Sequence, residues 1–304
     1  MYVEKIKKYL KLITEQFFEV LDDMLNFWGN NKIYFISTII YFYISFKILG
    51  GTIETFFNLI IIYLVTIFIA FSPTGEKLLR LLNNVRPLET SKEKEYILTL
   101  FEEVFKQAKS RNKYLNKIEI CVIDNMTVNA MAIGRHTVAV TKGAVQTFTE
   151  EELKAVIAHE VAHIVHEDTT ARLYAIIGNG IFTIILFIYK LILFIFECIN
   201  ETVSRNKNVL SFFITLIRFI LEISTFLFTF ALQIVMMTNS RKNEFNADKF
   251  SYDLGYDREM IEALYLLEKI SLGDNSTIIQ KMTASHPRIT KRIEYLESLD
   301  EQSE

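Results

Sequence analysis

Four apolar runs divide this chain into alternating water-soluble and water-averse pieces, and any fold must accommodate that division. Ile33 to Leu49 and Thr55 to Phe71 come first, separated by Gly50-Gly51. Leu173 to Phe196 and Val209 to Met237 come later, joined by the polar link Asn200 to Asn208. Each run has about the length that crosses a bilayer, and none has the polar face that a core helix of a soluble protein turns to water. Four transmembrane helices in two hairpins are therefore expected. Composition agrees: 51% of the 304 residues are hydrophobic, 25 are Phe and only 3 are Pro. The net charge of -3 offers nothing to a nucleic acid.

The runs set the domain plan. Residues 1–32 form an amphipathic N-terminal segment in which Ile6, Leu10, Ile13, Phe17, Val20, Leu21 and Leu25 recur at helical spacing between Val3 and Phe27. That helix either lies on a membrane surface or packs on the soluble part. Residues 33–71 are the first hairpin, 72–172 a charged portion, 173–237 the second hairpin, and 238–304 a second charged portion. No compact apolar core followed by a small-residue cleavage site occurs near the start, so a cleavable signal peptide is not expected. Cys121 and Cys198 lie far apart in dissimilar surroundings and make neither a disulfide framework nor a metal knuckle. Lys5, Lys7, Lys8, Lys11 and Lys32 precede the first run, against Lys47 alone in the first loop and Arg205 with Lys207 in the second. Positive-inside reasoning then puts the N-terminus and both charged portions on the cytoplasmic side. Within the second hairpin, Lys190 or Arg218 either pairs with Glu222 at similar depth or snorkels to the nearer surface.

The charged portions carry the chemistry. Ile118 to Ile123 and Thr137 to Thr141 read as strands, and Val128 to Ile133 also looks extended, with Gly134-Arg135 as a turn. Helical periodicity runs through Glu93 to Ala108 with Ser91 as its expected cap, while Pro73 and Gly75 are expected to end the first hairpin. The stretch Thr149 to Asp168 then reads TEEELKAVIAHEVAHIVHED. Thr149 with Glu152 is a capping box, and Leu153, Val156, Ile157, Val161 and Ile164 keep helical spacing. On that helix His159 and His163 leave the same face one turn apart and can share one metal ion. Glu160 sits about 100° further round, placed to reach a water on that ion and poorly placed to be a ligand in the same row. Apolar flanks on both sides ask for burial, where imidazoles and a carboxylate are costly without a partner such as a metal.

A hydrolytic zinc takes three protein ligands and keeps a position for water. Glu244 and Asp248 share a helix face one turn apart just beyond the fourth apolar run. Glu244 is the expected third ligand. Asp248 is expected to accept the other N–H of a ligand imidazole, with His166 and Asp168 as alternatives for either task. Asp257 is expected to cap a helix running to Ile270, with Gly273 as its stop, and Ser285 to Arg288 opens a last helix containing Arg292. His286, Arg288 and Arg241 are the candidates for stabilising an oxyanion. The extended segment at Asn129, Ala130 and Met131 is either an ordinary hairpin or an edge strand that holds a peptide through main-chain hydrogen bonds.

HEVAH at His159, SRKNEFNAD at Ser240 and SHPRITKRI at Ser285, with NAMAIG at Asn129 and VAVTKGA at Val138, resemble the blocks of the HtpX-type membrane zinc metalloproteases. The order of two spans, a zinc helix, two spans and an E-x-x-x-D helix also matches, and the resemblance covers the chain from Ile33 onward. It implies a mainly α integral membrane protein with four transmembrane helices and a zincin-like α+β domain holding a small sheet. The implied activity is zinc-dependent endopeptidase action on misfolded or damaged membrane proteins, facing the cytoplasm of a bacterial inner membrane. Glu160 as base and Glu244 as ligand carry over. The related CAAX prenyl proteases, the alternative activity within this resemblance, share these blocks but usually carry more than four spans. The N-terminal extension and the His166-Glu167-Asp168 sequence after the zinc helix depart from the family pattern. A reading from another class, a non-enzymatic metal-binding membrane scaffold or transporter, rests on Lys190 and Glu222 and requires a fourth protein ligand if its zinc is structural.

Overall fold

A computed structural model describes residues 32–112, 115, 117–169, 241–271 and 288–303, with isolated helical positions between 14 and 25, 187 and 195, and 212 and 223. The rest of the N-terminal amphipathic segment, most of the second apolar hairpin with Lys190, Arg218 and Glu222, and Gly273 and His286 lie outside the described residues. The chain divides into two units. One comprises Met1–Phe71 with Tyr174–Met236, the other Ser72–Leu173 with Met237–Glu304.

In the first unit, α1 (Lys32–Ile48) and α2 (Ile53–Phe71) form a hairpin turned by Gly50 and Gly51. Aromatic edges hold the pair together: Phe42 meets Phe56 at 5.5 Å and Tyr63 at 5.7 Å between ring centroids. Elsewhere the helices expose large apolar side chains, among them Ile36, Ile39, Tyr43, Phe57, Ile61 and Leu64. Among the described residues no helix is long and apolar enough to cross a membrane. The 17 and 19 residues of α1 and α2 rise about 26 and 28 Å, short of the ~30 Å of a hydrocarbon core.

The hairpin ends at Phe71, ahead of Pro73 as expected, but Pro73 also begins a helix, α3 (Pro73–Leu82), which runs on through Gly75, with the Ser72 hydroxyl accepting from the Thr74 N–H. A proline at the first helical position surrenders no hydrogen bond, which is why the same residue can end one helix and open the next. A short strand that local sequence did not reveal, β1 (Val85–Pro87), follows. Thr90, not Ser91, is the cap of the next helical stretch, closing a capping box with Glu93. A π-turn over Lys94–Leu98 leads into α4 (Thr99–Arg111).

The sheet contains β2 (Glu119–Ile123), β3 (Ala130–Ile133) and β4 (Thr137–Thr141) in the order β1-β2-β4-β3. β2 and β4 are parallel and the outer pairs antiparallel. Central β4 is buried at every position, as its unbroken apolar and β-branched sequence requires. α5 (Lys142–Thr147) leads into α6 (Glu150–Val165), the helix that carries His159 and His163. α6 packs on α4, on β3 and β4, and on α8 (Asp257–Ser271), which in turn meets α9 (Ile289–Ser303). Leu153, Ile157 and Val161 of α6 are fully buried against Val104, Val138, Met260 and Leu264. Each such side chain contributes about 1.5–3 kcal/mol of burial. Between α6 and α8 in sequence lies α7, residues 241–253. The buried Ser251 hydroxyl of α7 donates to the Ala155 carbonyl at 3.0 Å and ties α7 to α6.

Candidate metal centre

The site grows from the helical period of α6. His159 and His163 are buried with ring centroids 4.9 Å apart and planes at right angles. Each presents Nε2 to one carboxylate: His159 lies 3.4 Å from Glu244 Oε2 and His163 lies 3.5 Å from Glu244 Oε1. Glu244 belongs to α7 and is fully buried. The three ligating atoms lie within 4.8 Å of one another, a spread that one cation can bridge.

The opposite ring nitrogens explain why Nε2 is the one available. His159 Nδ1 lies 2.9 Å from Asp248 Oδ1, and His163 Nδ1 lies 3.0 Å from Asp168 Oδ2. A carboxylate only accepts, so each Nδ1 carries a proton, which leaves Nε2 as the nitrogen that would offer a lone pair to a metal. Arg292 Nη2 also approaches His159 Nδ1, at 3.4 Å, but two donors cannot bond each other, so the contact is one of charge.

Asp168 reaches His163 because the chain reverses immediately after α6. His166 ends the helix and Glu167 takes a left-handed conformation, φ 60°, at a cost of roughly 1–2 kcal/mol for a residue with a side chain. That turn swings the buried Asp168 under the last turn of the helix, where Asn243 Nδ2 also donates to it at 2.5 Å. His166 itself points outward to solvent, with its ring 6.0 Å from Phe250.

Electrostatics decide what the cluster suits. Glu244 and Asp248 are fully buried, with Glu160 and Asp168 close by, and among the described residues the guanidinium that meets them is that of Arg292 of α9. Its guanidinium donates to both oxygens of Asp248 at 2.7 and 2.5 Å and lies 3.4 Å from Glu244 Oε2. One guanidinium does not balance several carboxylates in a low-dielectric setting, and a divalent cation does. Two imidazole nitrogens and a carboxylate oxygen are also the donor set a borderline-soft divalent metal prefers. The residues present therefore fit a metal ion. Burial and the Arg292 charge push the His159 imidazolium down, while hydrogen bonds to Asp248 and Glu244 push it up further, so it is raised to about 9. Burial pushes Asp248 up, but Arg292 and His159 outweigh it and its carboxyl is held low.

Glu160 is less buried than its neighbours and does not share their row. Its Oε2 accepts the Ala132 N–H at 2.7 Å, linking α6 to edge strand β3. Thr141 N donates to the Asn129 carbonyl, so Asn129 faces β4 with its main chain. Antiparallel alternation then turns the main-chain groups of Ala130 and Ala132 outward and those of Met131 back toward β4. The Met131 side chain packs on the cluster of Cys121, Ile123, Ile133 and Ala139.

Among the oxyanion candidates, Arg288 and Arg241 are exposed and His286 is outside the described residues. The guanidinium at the cluster is that of Arg292, one helical turn beyond Arg288. The sequence places Arg292 in the last helix without marking it for a role. Its spacing from Arg288 was the only local signal, and it cannot say which of two arginines turns inward.

A sequence profile of Peptidase family M48 matches residues 91–300. The chain belongs to peptidase family M48. As a member of M48 it is a metalloprotease, a hydrolase acting on peptide or protein substrates. It is 31% identical over 196 residues to Protease HtpX of Glaesserella parasuis serovar 5 (strain SH0165), covering 60% of this chain and 67% of that one. With the Protease HtpX homolog of Nitrosomonas eutropha it shares 28% identity over 218 residues, covering 66% of this chain and 70% of that one. The M48 chain also aligns with the crystal structure of S. mikatae Ste24p at a TM-score of 0.47 and 20% identity, over 91% of this chain and 65% of that one.

Proposed function

We propose that this M48 peptidase is a zinc-dependent endopeptidase of a bacterial inner membrane, with its site on the cytoplasmic side and misfolded or damaged membrane proteins as substrates. The observation that carries the reading is the pair of Nε2 atoms directed at Glu244, each imidazole held from behind by its own carboxylate. His159, His163 and Glu244 would hold the zinc, which when bound supplies Lewis acidity to the scissile carbonyl and acidity to a water.

The chain's own groups do the rest. Glu160 takes the proton of the attacking water and returns it to the leaving amine. Arg292, held by Asp248, keeps a fixed positive charge beside Glu244 and limits the negative potential in which the tetrahedral oxyanion must form. His286 and Arg288 remain proposals for direct contact with that oxyanion. The outward main-chain groups of Ala130 and the Ala132 carbonyl offer an extended peptide an added strand along β3, with Asn129 at the start of that edge and Met131 behind it.

Residence in the bilayer rests on the four apolar runs and on the apolar side chains that α1 and α2 expose. A shortfall of a few Å against the hydrocarbon thickness is met by local thinning at modest cost. The orientation rests on the lysines that precede the first run.

The test is Glu160→Gln in the full-length protein. The variant is expected to bind one zinc per chain with unchanged affinity and to lose cleavage of an unfolded membrane protein by several orders of magnitude. Cleavage at the wild-type rate would remove Glu160 from the chemistry.

A further inference from the structure

Away from the metal cluster, one buried carboxylate meets donors on every side. Glu76 of α3 is 8% exposed. Its Oε1 accepts from Arg80 Nη2 at 3.2 Å and from the Thr137 hydroxyl. Its Oε2 accepts from the Arg135 backbone N–H at 3.1 Å and lies 3.2 Å from His136 Nδ1. Three of these four partners, Arg135, His136 and Thr137, are consecutive: two residues of the turn that joins β3 to β4 and the first residue of β4. The remaining residue of that turn, Gly134, has φ +58°, and a Cβ there would sit 2.6 Å from Glu76 Oε2. The carboxylate thus fills the space under the turn. From the other side the buried Thr169 hydroxyl donates to the Gly134 carbonyl, one residue after the Asp168 that holds His163.

The turn lies two residues from the site. Gly134 follows Ile133, the last residue of β3, and Ala132 before it donates its N–H to Glu160. A short strand has little freedom to bend over so few residues, so whatever fixes the turn fixes the outer edge of β3 against the general base.

We propose that Glu76 is a positioning residue for catalysis: by gripping the Arg135–Thr137 segment it sets the height of the β3 edge relative to Glu160, and with it the register in which an extended peptide is held. The proposal rests on the reading of β3 as the substrate strand. It takes Glu76 to act through the strand and not on the reacting atoms. Its loss therefore weakens the hold on peptides long enough to pair along β3 and spares those that reach only the scissile position.

The experiment uses the full-length zinc-loaded protein in detergent and two quenched peptides of the same cleavage sequence. One has ten residues, and the other is a blocked tripeptide. Glu76→Gln and Thr137→Val are compared with Thr137→Ser, which keeps the hydroxyl. In the first two variants KM for the long peptide is expected to rise roughly tenfold, the scale of one lost charge-assisted hydrogen bond, with kcat nearly unchanged. The tripeptide should change less than twofold, zinc content should stay at one per chain, and Thr137→Ser should behave as wild type. If wild type handles both peptides with the same KM, the substrate-strand reading fails and takes the proposal with it. If wild type prefers the long peptide and both variants keep that preference, or lose activity equally on both peptides, the proposal about Glu76 alone is overturned.

Discussion

Arg292 grips Asp248 through two nitrogens at once, Nε to Oδ2 at 2.7 Å and Nη2 to Oδ1 at 2.5 Å, deep in the unit that holds the metal site. The pair joins the last helix to α7 and stands behind His159. Arg292→Lys keeps a charge but loses the fork that matches a carboxylate. Metal affinity, measured by competition with a chelator, is expected to fall about 10–100-fold. Arg292→Met leaves Asp248 and Glu244 uncompensated, and denaturant unfolding should show a loss of about 3–5 kcal/mol.

Asp168 performs for His163 what Asp248 performs for His159. Asp168→Asn removes the negative charge that raises the basicity of the ligand, and about 10–100-fold weaker metal binding is expected at neutral pH. Asn243→Ala, which removes only the donor behind Asp168, should have a smaller effect in the same direction. Equal affinities in all three proteins would show that the imidazole orients itself without the carboxylate.

The pH dependence of stability should carry a signature of Glu76. Burial pushes its carboxyl up, but the bonds from His136, Thr137 and Arg135 more than offset that and lower it from 4.5 to about 2. A carboxyl depressed on folding contributes stability fully above its unfolded value of 4.5, and that contribution is lost as pH falls toward 2. The gap in denaturant midpoint between wild type and Glu76→Gln should therefore be constant from neutrality to about pH 4.5 and shrink below it. A gap that stays constant down to pH 2 would assign the effect to side-chain shape and not to charge.

Removal of the metal should be felt as stability as well as activity. A ligand that binds only the folded chain at a thousand times its Kd contributes about 4 kcal/mol. A chelator is expected to abolish cleavage and lower the unfolding midpoint, and added zinc should restore both. An unchanged midpoint would show that the His159–His163–Glu244 cluster is equally stable without its cation.

Elements whose cause is local could be read from the order of residues. The capping box of Thr149 and Glu152, the turn between His159 and His163, the β-branched runs of β2 and β4 and the turn between Glu244 and Asp248 all depend on neighbours within a few positions. Backbone geometry alone converts such spacing into shared faces. The cap at Thr90, the helix begun by Pro73 and the strand Val85–Pro87 were less legible. A proline serves either end of a helix boundary, and three residues carry too little periodicity to declare a strand. Which distant groups meet depends on the packed fold. It turned Arg292 inward and Arg288 outward, sent Asp168 back to His163 through the left-handed Glu167, and seated Glu76 under the Gly134 turn. Each choice is made by the packing of whole helices and strands, where a buried charge must find its partner across the fold, and no local pattern encodes which partner that is.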